Sequence, residues 1–272
     1  MTNFIKIGGI QKTTLIDYPG RIAATIFLCG CNLRCPFCYS SELVLPEKIK
    51  LQPKISEKEF FDFLRKRKGL LEGVVICGGE PTINKELPGF IKKIKGLGYL
   101  VKLDTNGSNP EMLRKLIAQK IAKRNSLSYP SVAKGEEEIY LLDSLTSLPR
   151  NGSSLIDYVA MDIKAPLQSQ KYDETAGVKV DLNKIKKSIE IIKNSGIDYE
   201  FRMTVVPPLH LKEDIIQVAK DISPAQKFFL QNFRPEKTIE PKYEKIRPYP
   251  KEFLLEIKKE IAHFFNICEV RD

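Results

Sequence analysis

The 272-residue chain has only two histidines, His210 and His263, and no long apolar run. The longest apolar stretch, Ile22 to Cys29, falls far short of the roughly 18 residues that span a bilayer and contains Thr25. The opening Met-Thr-Asn-Phe-Ile-Lys lacks the apolar core and cleavage site of a secretory signal. A cytoplasmic protein without membrane attachment is therefore expected. Two histidines leave little for a histidine-ligated metal, and no second Cys-x-x-C follows the one cysteine cluster. A dense basic stripe interleaved with aromatics is also missing, although 44 Lys and Arg against 34 Asp and Glu give a net charge of +10. Lysines recur instead in short runs on expected helix backs, as at Lys92-Lys93 and from Lys184 to Lys187. Such a balance suits an acidic protein, a nucleotide or RNA, and by itself selects none of them.

What the chain does have is an ordinary globular composition, with 42% apolar residues, 16 Gly and 17 Pro. Three of its six cysteines lie within eight positions, in Cys31-Asn-Leu-Arg-Cys35-Pro-Phe-Cys38. Clustering of this kind without a secretion signal favours metal over disulfide. Thiolates are soft ligands, and three at this spacing can wrap one corner of a 4Fe-4S cube, leaving one iron open. A zinc site would need a distant fourth ligand. Cys29, Cys77 and Cys268 are scattered and read as small buried residues.

Strand and helix patterns alternate six times. Apolar runs at Ile22–Leu28, Gly73–Cys77, Tyr99–Leu103, Tyr158–Asp162, Phe201–Val206 and Lys227–Gln231 read as buried strands. Between them, helices are signalled by a Ser56/Glu59 capping box, Asn84 as a cap, Asn109-Pro110 as a start, and periodic isoleucines from Asp181 to about Asn194. A short helix over Lys212 to Asp221 and a last one over Lys251 to Phe265 complete the series. This rhythm predicts an α/β chain of parallel βα units, with functional residues gathered at the C-terminal ends of the strands. A polar stretch at about 123–154 breaks the rhythm between strands three and four and reads as an insertion or a loop.

The motifs fall at those strand ends: the cysteine loop after strand one, Gly78-Gly79-Glu80-Pro81 after strand two, Asp104-Thr105-Asn106-Gly107 after strand three, and Met161-Asp162-Ile163-Lys164 at strand four. The Cys-x3-Cys-x2-Cys loop, with Phe37 before its third cysteine, resembles the radical S-adenosylmethionine (SAM) superfamily. So does Gly78-Gly79-Glu80-Pro81. The resemblance implies a partial (β/α)6 TIM-type barrel, one 4Fe-4S cluster on Cys31, Cys35 and Cys38, and SAM chelated to the open iron. Reductive cleavage of SAM would give a 5′-deoxyadenosyl radical. Gly78, Gly79, Glu80 and Pro81 would then face the SAM amino group.

The later motifs are similar to those of glycyl-radical-enzyme activases. By that likeness Asp104, Thr105, Asn106 and Asp162 approach SAM, with the two aspartates helping to bind a monovalent cation. Lys164 would lie near the SAM carboxylate, and Arg202, in Phe-Arg-Met-Thr-Val-Val-Pro, would touch SAM. Thr14-Leu-Ile-Asp-Tyr-Pro-Gly20 and Gln231-Asn-Phe-Arg-Pro235 look like the activating proteins of anaerobic ribonucleoside-triphosphate reductase. The likeness covers roughly 15–122 and 157–235, and segment 123–154 has no counterpart in it. His210 reads as a loop residue, and Gln231 as a strand-end polar residue or one turned towards SAM.

One domain over 1–272 is expected, with a core at about 15–235 and a C-terminal helical extension at about 236–272. The resemblance implies a glycyl-radical protein as substrate and a reduced flavodoxin- or ferredoxin-type electron donor. Two other readings stand beside it: a radical SAM enzyme acting on a nucleotide, tRNA or small metabolite, and a non-catalytic metal-binding interaction protein.

Overall fold

The computed structural model describes residues 5–53, 55–117 and 154–271. Its centre is a sheet of eight strands lying side by side in chain order. β1 (Ile7–Thr14) runs antiparallel to β2 (Ala23–Leu28). From β2 onward every pairing is parallel, through β3 (Gly73–Gly78), β4 (Leu100–Thr105), β5 (Tyr158–Asp162), β6 (Asp198–Val205), β7 (Ala225–Asn232) and β8 (Phe265–Arg271). Strands β2 to β7 are the six expected from the apolar runs. β1 and β8 are the sheet's edges and do not pair with each other, so the barrel is partial.

The helices are α1 (Ser41–Val44), α2 (Pro46–Ile49), α3 (Glu57–Lys66), α4 (Leu87–Gly96), α5 (Pro110–Ile117), α6 (Ser169–Ala176), α7 (Leu182–Lys193), α8 (Lys212–Ile222) and α9 (Lys251–Ile261). Local chemistry sets their ends. Ser56 and Glu59 form the reciprocal capping box of α3, and the helix buries Phe60, Phe61 and Leu64. Phe60 stacks on Phe90 of α4 with ring centroids 5.4 Å apart. Asp181 caps α7 by accepting from the Asn183 amide at 3.0 Å.

Several features differ from the sequence expectation, among them α1, α2 and α6, which have no counterpart in it. Asn84 does not cap α4. It closes a 3-10 turn over Pro81–Ile83, its Nδ2 donating to the Pro81 carbonyl at 3.0 Å, and α4 starts three residues later. The last helix stops at Ile261 instead of running to Phe265. A 3-10 turn at Ala262–Phe264 releases the chain into β8, where Phe265 packs on Phe228 at 5.0 Å and Cys268 is buried. The stretch 236–272 thus ends as a strand of the central sheet. β1 was not foreseen because its Ile-Gly-Gly-Ile-Gln-Lys-Thr-Thr is mostly half-buried or exposed and has no continuous apolar face. The insertion expected at 123–154 lies, but for Ser154, outside the described residues.

The two ends of the barrel are unlike. At the N-terminal end of the strands, Tyr18 of the Thr14–Gly20 segment is buried with Ala23, Val75 and Tyr158. Its ring meets Tyr158 edge-on at 6.0 Å and lies so close over Gly73 that a Cβ there would sit 2.8 Å from it. Asp17 holds the segment down by accepting from Thr25 Oγ1 at 2.6 Å. This segment is therefore a floor plug, remote from the cysteines. The opposite end carries the loops that hold the candidate site, as expected for parallel strands.

Candidate active site

Cys31, Cys35 and Cys38 follow β2 in a loop tied down on several sides. The Arg34 guanidinium donates to the carbonyls of Cys31 and Leu33, both at 2.7 Å, and the Arg34 amide donates to Ala176 at 2.9 Å. The Ile239 and Glu240 amides donate to Cys38 and Pro36 at 3.0 and 2.9 Å. Burial pushes the Cys35 thiol up to about 12 and that of Cys31 up to about 11, and it also raises Cys38. All three are free thiols. Among the described residues no three His, Cys, Asp or Glu side chains stand in metal-ligating geometry. The fit to a cluster therefore rests on the donor set: three soft sulfurs on one braced loop, close enough for Cys31 and Cys38 each to act electrostatically on Cys35.

The Gly78–Pro81 turn packs directly against that loop. The Gly79 amide donates to Leu28 at 2.9 Å and the Glu80 amide to Gly30 at 2.8 Å. A Cβ on Gly79 would lie 2.0 Å from the Gly30 oxygen, and Gly78, at φ +116°, would put one 2.4 Å from Leu28 backbone. Both positions therefore require glycine to bring the two loops together. Glu80 is only 1% exposed. Its Oε1 accepts from the Thr82 amide at 3.0 Å, Thr82 Oγ1 at 2.5 Å and Thr105 Oγ1 at 2.8 Å, while Oε2 accepts from the Asn106 amide at 2.6 Å. Glu80 thus joins the turn to the loop after β4 and keeps one lone pair of Oε2 unused. Burial raises its pKa, against the pull of those donors. Asn106 also donates to Asn32 of the cysteine loop at 3.1 Å, and Asn32 to Ser108 at 2.8 Å.

Inside the barrel mouth, Asp104, Asp162, Lys164 and Arg202 come together as the sequence suggested, with Lys102 as an unforeseen fifth member. Lys102 Nζ contacts Asp104 Oδ1 at 2.5 Å, and Arg202 Nη1 contacts Oδ2 at 2.9 Å. Arg202 Nε reaches Asp162 Oδ1 at 2.8 Å, and Lys164 Nζ reaches Oδ2 at 3.1 Å. Each of the four carboxylate oxygens therefore has its own cationic donor. Burial alone would raise both acids. The adjacent cations overcome it and hold Asp104 and Asp162 below the usual carboxylate range, with Arg202 foremost at each. The reciprocal attraction, against burial, raises Lys164 and Arg202. Buried Glu200 also lies 4.0 Å from Arg202 Nη1 and is paired with Arg271 at 3.0 Å, so four cations face three carboxylates and the cluster keeps one positive charge in excess.

Lys102 lies two positions before Asp104 on β4, so both face the barrel interior. A lysine inside the apolar run Tyr99–Leu103 is the signal for it. His210 is a brace for Lys164 and not a ligand. Its Nδ1 accepts from the Val206 amide at 3.0 Å, so Nε2 carries the proton and donates to the Lys164 carbonyl at 2.8 Å. Burial pushes its pKa down to about 4, which keeps it neutral. Gln231 is half-buried on β7, in register with Thr204 of β6 and Arg271 of β8.

The family pattern described as "Radical SAM superfamily" matches residues 25–222, a span that holds the cysteine loop and all the strand-end motifs. The chain belongs to the radical SAM superfamily. A Methanocaldococcus jannaschii protein named "Putative glycyl-radical enzyme activating enzyme" is 32% identical over 254 residues, covering 90% of this chain and 87% of the relative. A 7-carboxy-7-deazaguanine synthase of Aquifex aeolicus is 38% identical over 85 residues, 30% of this radical SAM chain and 35% of that protein. Among solved structures, Streptococcus suis SuiB bound to S-adenosylmethionine aligns with TM-score 0.56 at 17% identity, over 88% of this chain and 48% of SuiB. The chain thus spans about half of SuiB. Escherichia coli QueE aligns with TM-score 0.51 at 14% identity, over 97% of this chain and 92% of QueE. These likenesses agree with the partial barrel. Membership sets aside the reading as a non-catalytic interaction protein. No helix of the described residues is long and apolar enough to cross a membrane.

Proposed function

We propose that this radical SAM enzyme is a glycyl-radical-enzyme activase, acting on anaerobic ribonucleoside-triphosphate reductase or a related glycyl-radical protein. The observation that carries this reading is the 32% identity to the M. jannaschii protein across 90% of the chain. When bound, a 4Fe-4S cluster supplies the electron that cleaves SAM to methionine and a 5′-deoxyadenosyl radical. Cys31, Cys35 and Cys38 would hold that cluster. Lys164, which acts electrostatically on Cys35, and Arg202 offer the surplus positive charge of the barrel mouth to the SAM carboxylate. Glu80 keeps one carboxylate lone pair for the SAM amino group, with Gly78, Gly79 and Pro81 shaping the turn around it. Thr105 and Asn106 fix Glu80. Asp104 and Asp162 orient Arg202 and Lys164. A monovalent cation at the two aspartates would share carboxylate oxygens that also accept from Lys102, Lys164 and Arg202. In this reading a partner's glycine loop approaches the mouth between β1 and β8, the two sheet edges that do not pair with each other.

Anaerobic incubation of reconstituted enzyme, SAM, reductant and a candidate glycyl-radical protein tests the proposal. A glycyl signal in the partner by electron paramagnetic resonance, dependent on this chain, supports it. SAM cleavage with no partner radical would instead favour a nucleotide or small-metabolite substrate. That second reading draws on the partial match to 7-carboxy-7-deazaguanine synthase.

A further inference from the structure

A groove of about 550 Å³ runs along the outer side of the cysteine loop. Cys31 forms part of its wall, whereas Asp104, Asp162, Lys164 and Arg202 do not line it. Cys31 also stands within electrostatic reach of Glu80 and Lys164, the groups at the mouth. One ligand residue therefore separates two compartments: the barrel mouth, assigned above to SAM and substrate, and this outer groove.

The groove's chemistry is one-sided. Lys6, Arg34, Lys50 and Lys85 line it against a single carboxylate, Glu86. Four cations less one anion give a local excess of three positive charges. Arg34 is occupied with the loop's own carbonyls. Lys6, Lys50 and Lys85 are exposed, and among the described residues none of them has a salt-bridge partner. Between these charges the wall is apolar, with Val44, Ile49 and Ile83. An apolar floor with a free basic rim is the complement of an acidic protein surface with an apolar centre. Small, weak and electrostatically steered contacts are typical of redox encounters.

We propose that this groove docks an acidic one-electron carrier protein, so that electrons enter past Cys31 while SAM occupies the opposite side of the loop. This rests on the SAM-cleaving role proposed above. One electron leaves the carrier, which is oxidised by one unit, and the cluster is reduced by one unit. No proton or other group moves. An RNA backbone would also favour the basic rim, but it gives no reason for a cluster ligand to form the groove's wall.

The test uses the reconstituted enzyme with flavodoxin, an acidic flavin carrier, as the probe. Titration calorimetry at two salt concentrations reads affinity, and 5′-deoxyadenosine formation is compared with reduced flavodoxin and with dithionite as reductant. The variant Lys6→Glu/Lys50→Glu/Lys85→Glu should raise the flavodoxin dissociation constant by about tenfold or more and lose most of its salt dependence. Its dithionite-driven turnover should equal that of the wild type. The milder Lys6→Gln/Lys50→Gln/Lys85→Gln variant should fall between the two. Unchanged flavodoxin affinity in both variants would overturn the proposal. So would wild-type enzyme that binds single-stranded RNA but not flavodoxin. Failure of dithionite-driven cleavage in the wild type would count against the SAM-cleaving role instead, and the affinity arm would still decide the docking surface.

Discussion

Arg202→Gln is the most informative perturbation of the barrel mouth. Arg202 bridges Asp104 and Asp162 with contacts of 2.9 and 2.8 Å and has 13% side-chain exposure. Removing one partner of a buried ion pair costs about 3–5 kcal/mol, because the charge left behind is uncompensated. Here Lys102 and Lys164 still face the two acids, so a loss near the lower end, about 3 kcal/mol, is expected. The pH dependence carries the sharper signature. In the wild type both aspartates have folded pKa values below their unfolded ones. Their contribution is therefore present above the unfolded pKa, about 3.9, and is lost as pH falls through the folded values. In the variant two buried carboxylates face each other without the bridging guanidinium, and at least one pKa moves above its unfolded value. That acid then destabilises the fold progressively as pH rises. The stability gap between the two proteins should therefore be larger at pH 8 than at about pH 4. Urea unfolding of both proteins across that range measures it. A gap below about 1 kcal/mol, or one that narrows with rising pH, would refute the charge accounting.

Glu80→Ala orphans the Asn106 amide and the Thr82 and Thr105 donors. A stability loss of about 2–4 kcal/mol is expected, from about 1–3 kcal/mol per unsatisfied buried group with partial rescue by water. SAM affinity should fall while the cluster absorbance is retained, and unchanged affinity would remove Glu80 from the SAM site. His210 has a folded pKa of about 4 against about 6.5 unfolded. Its contribution is complete above pH 6.5 and is lost as pH falls towards 4, by about 3 kcal/mol at most. The wild type should therefore lose stability faster than His210→Gln on acidification, and parallel curves would contradict the brace. Tyr18→Ala removes the floor plug and should cost about 3–5 kcal/mol in thermal or urea unfolding with SAM affinity unchanged, whereas a SAM-specific defect would contradict the floor assignment.

The sequence displayed the parts of this molecule that depend on continuous local pattern. Six apolar runs became β2 to β7 because parallel strands are buried on both faces and so read as unbroken hydrophobic stretches. The edge strands were hidden for the opposite reason: half of β1 faces outward, and β8 follows α9 so closely that Phe264 and Phe265 read as helix. Within the site, the glycine pair and the cysteines were legible because chemistry restricts those positions to one residue type. The partners Thr82, Asn32, Lys102 and His210 were not, since polar residues at such positions carry meaning only once the strands are in register. The same holds for Glu80, whose role as a joint between two loops depends on Thr105 and Asn106 arriving from the neighbouring strand.

The most direct test of the central claim compares wild type and Cys35→Ala after anaerobic reconstitution with iron and sulfide, reduction by dithionite and addition of SAM. The wild type should show a reduced-cluster electron paramagnetic resonance signal that changes on SAM addition, and should form 5′-deoxyadenosine. Cys35→Ala should show neither, because a three-thiolate site cannot spare a ligand. Retained SAM cleavage in the variant, or none in a wild type with a fully reduced cluster, would contradict the assignment of this barrel mouth.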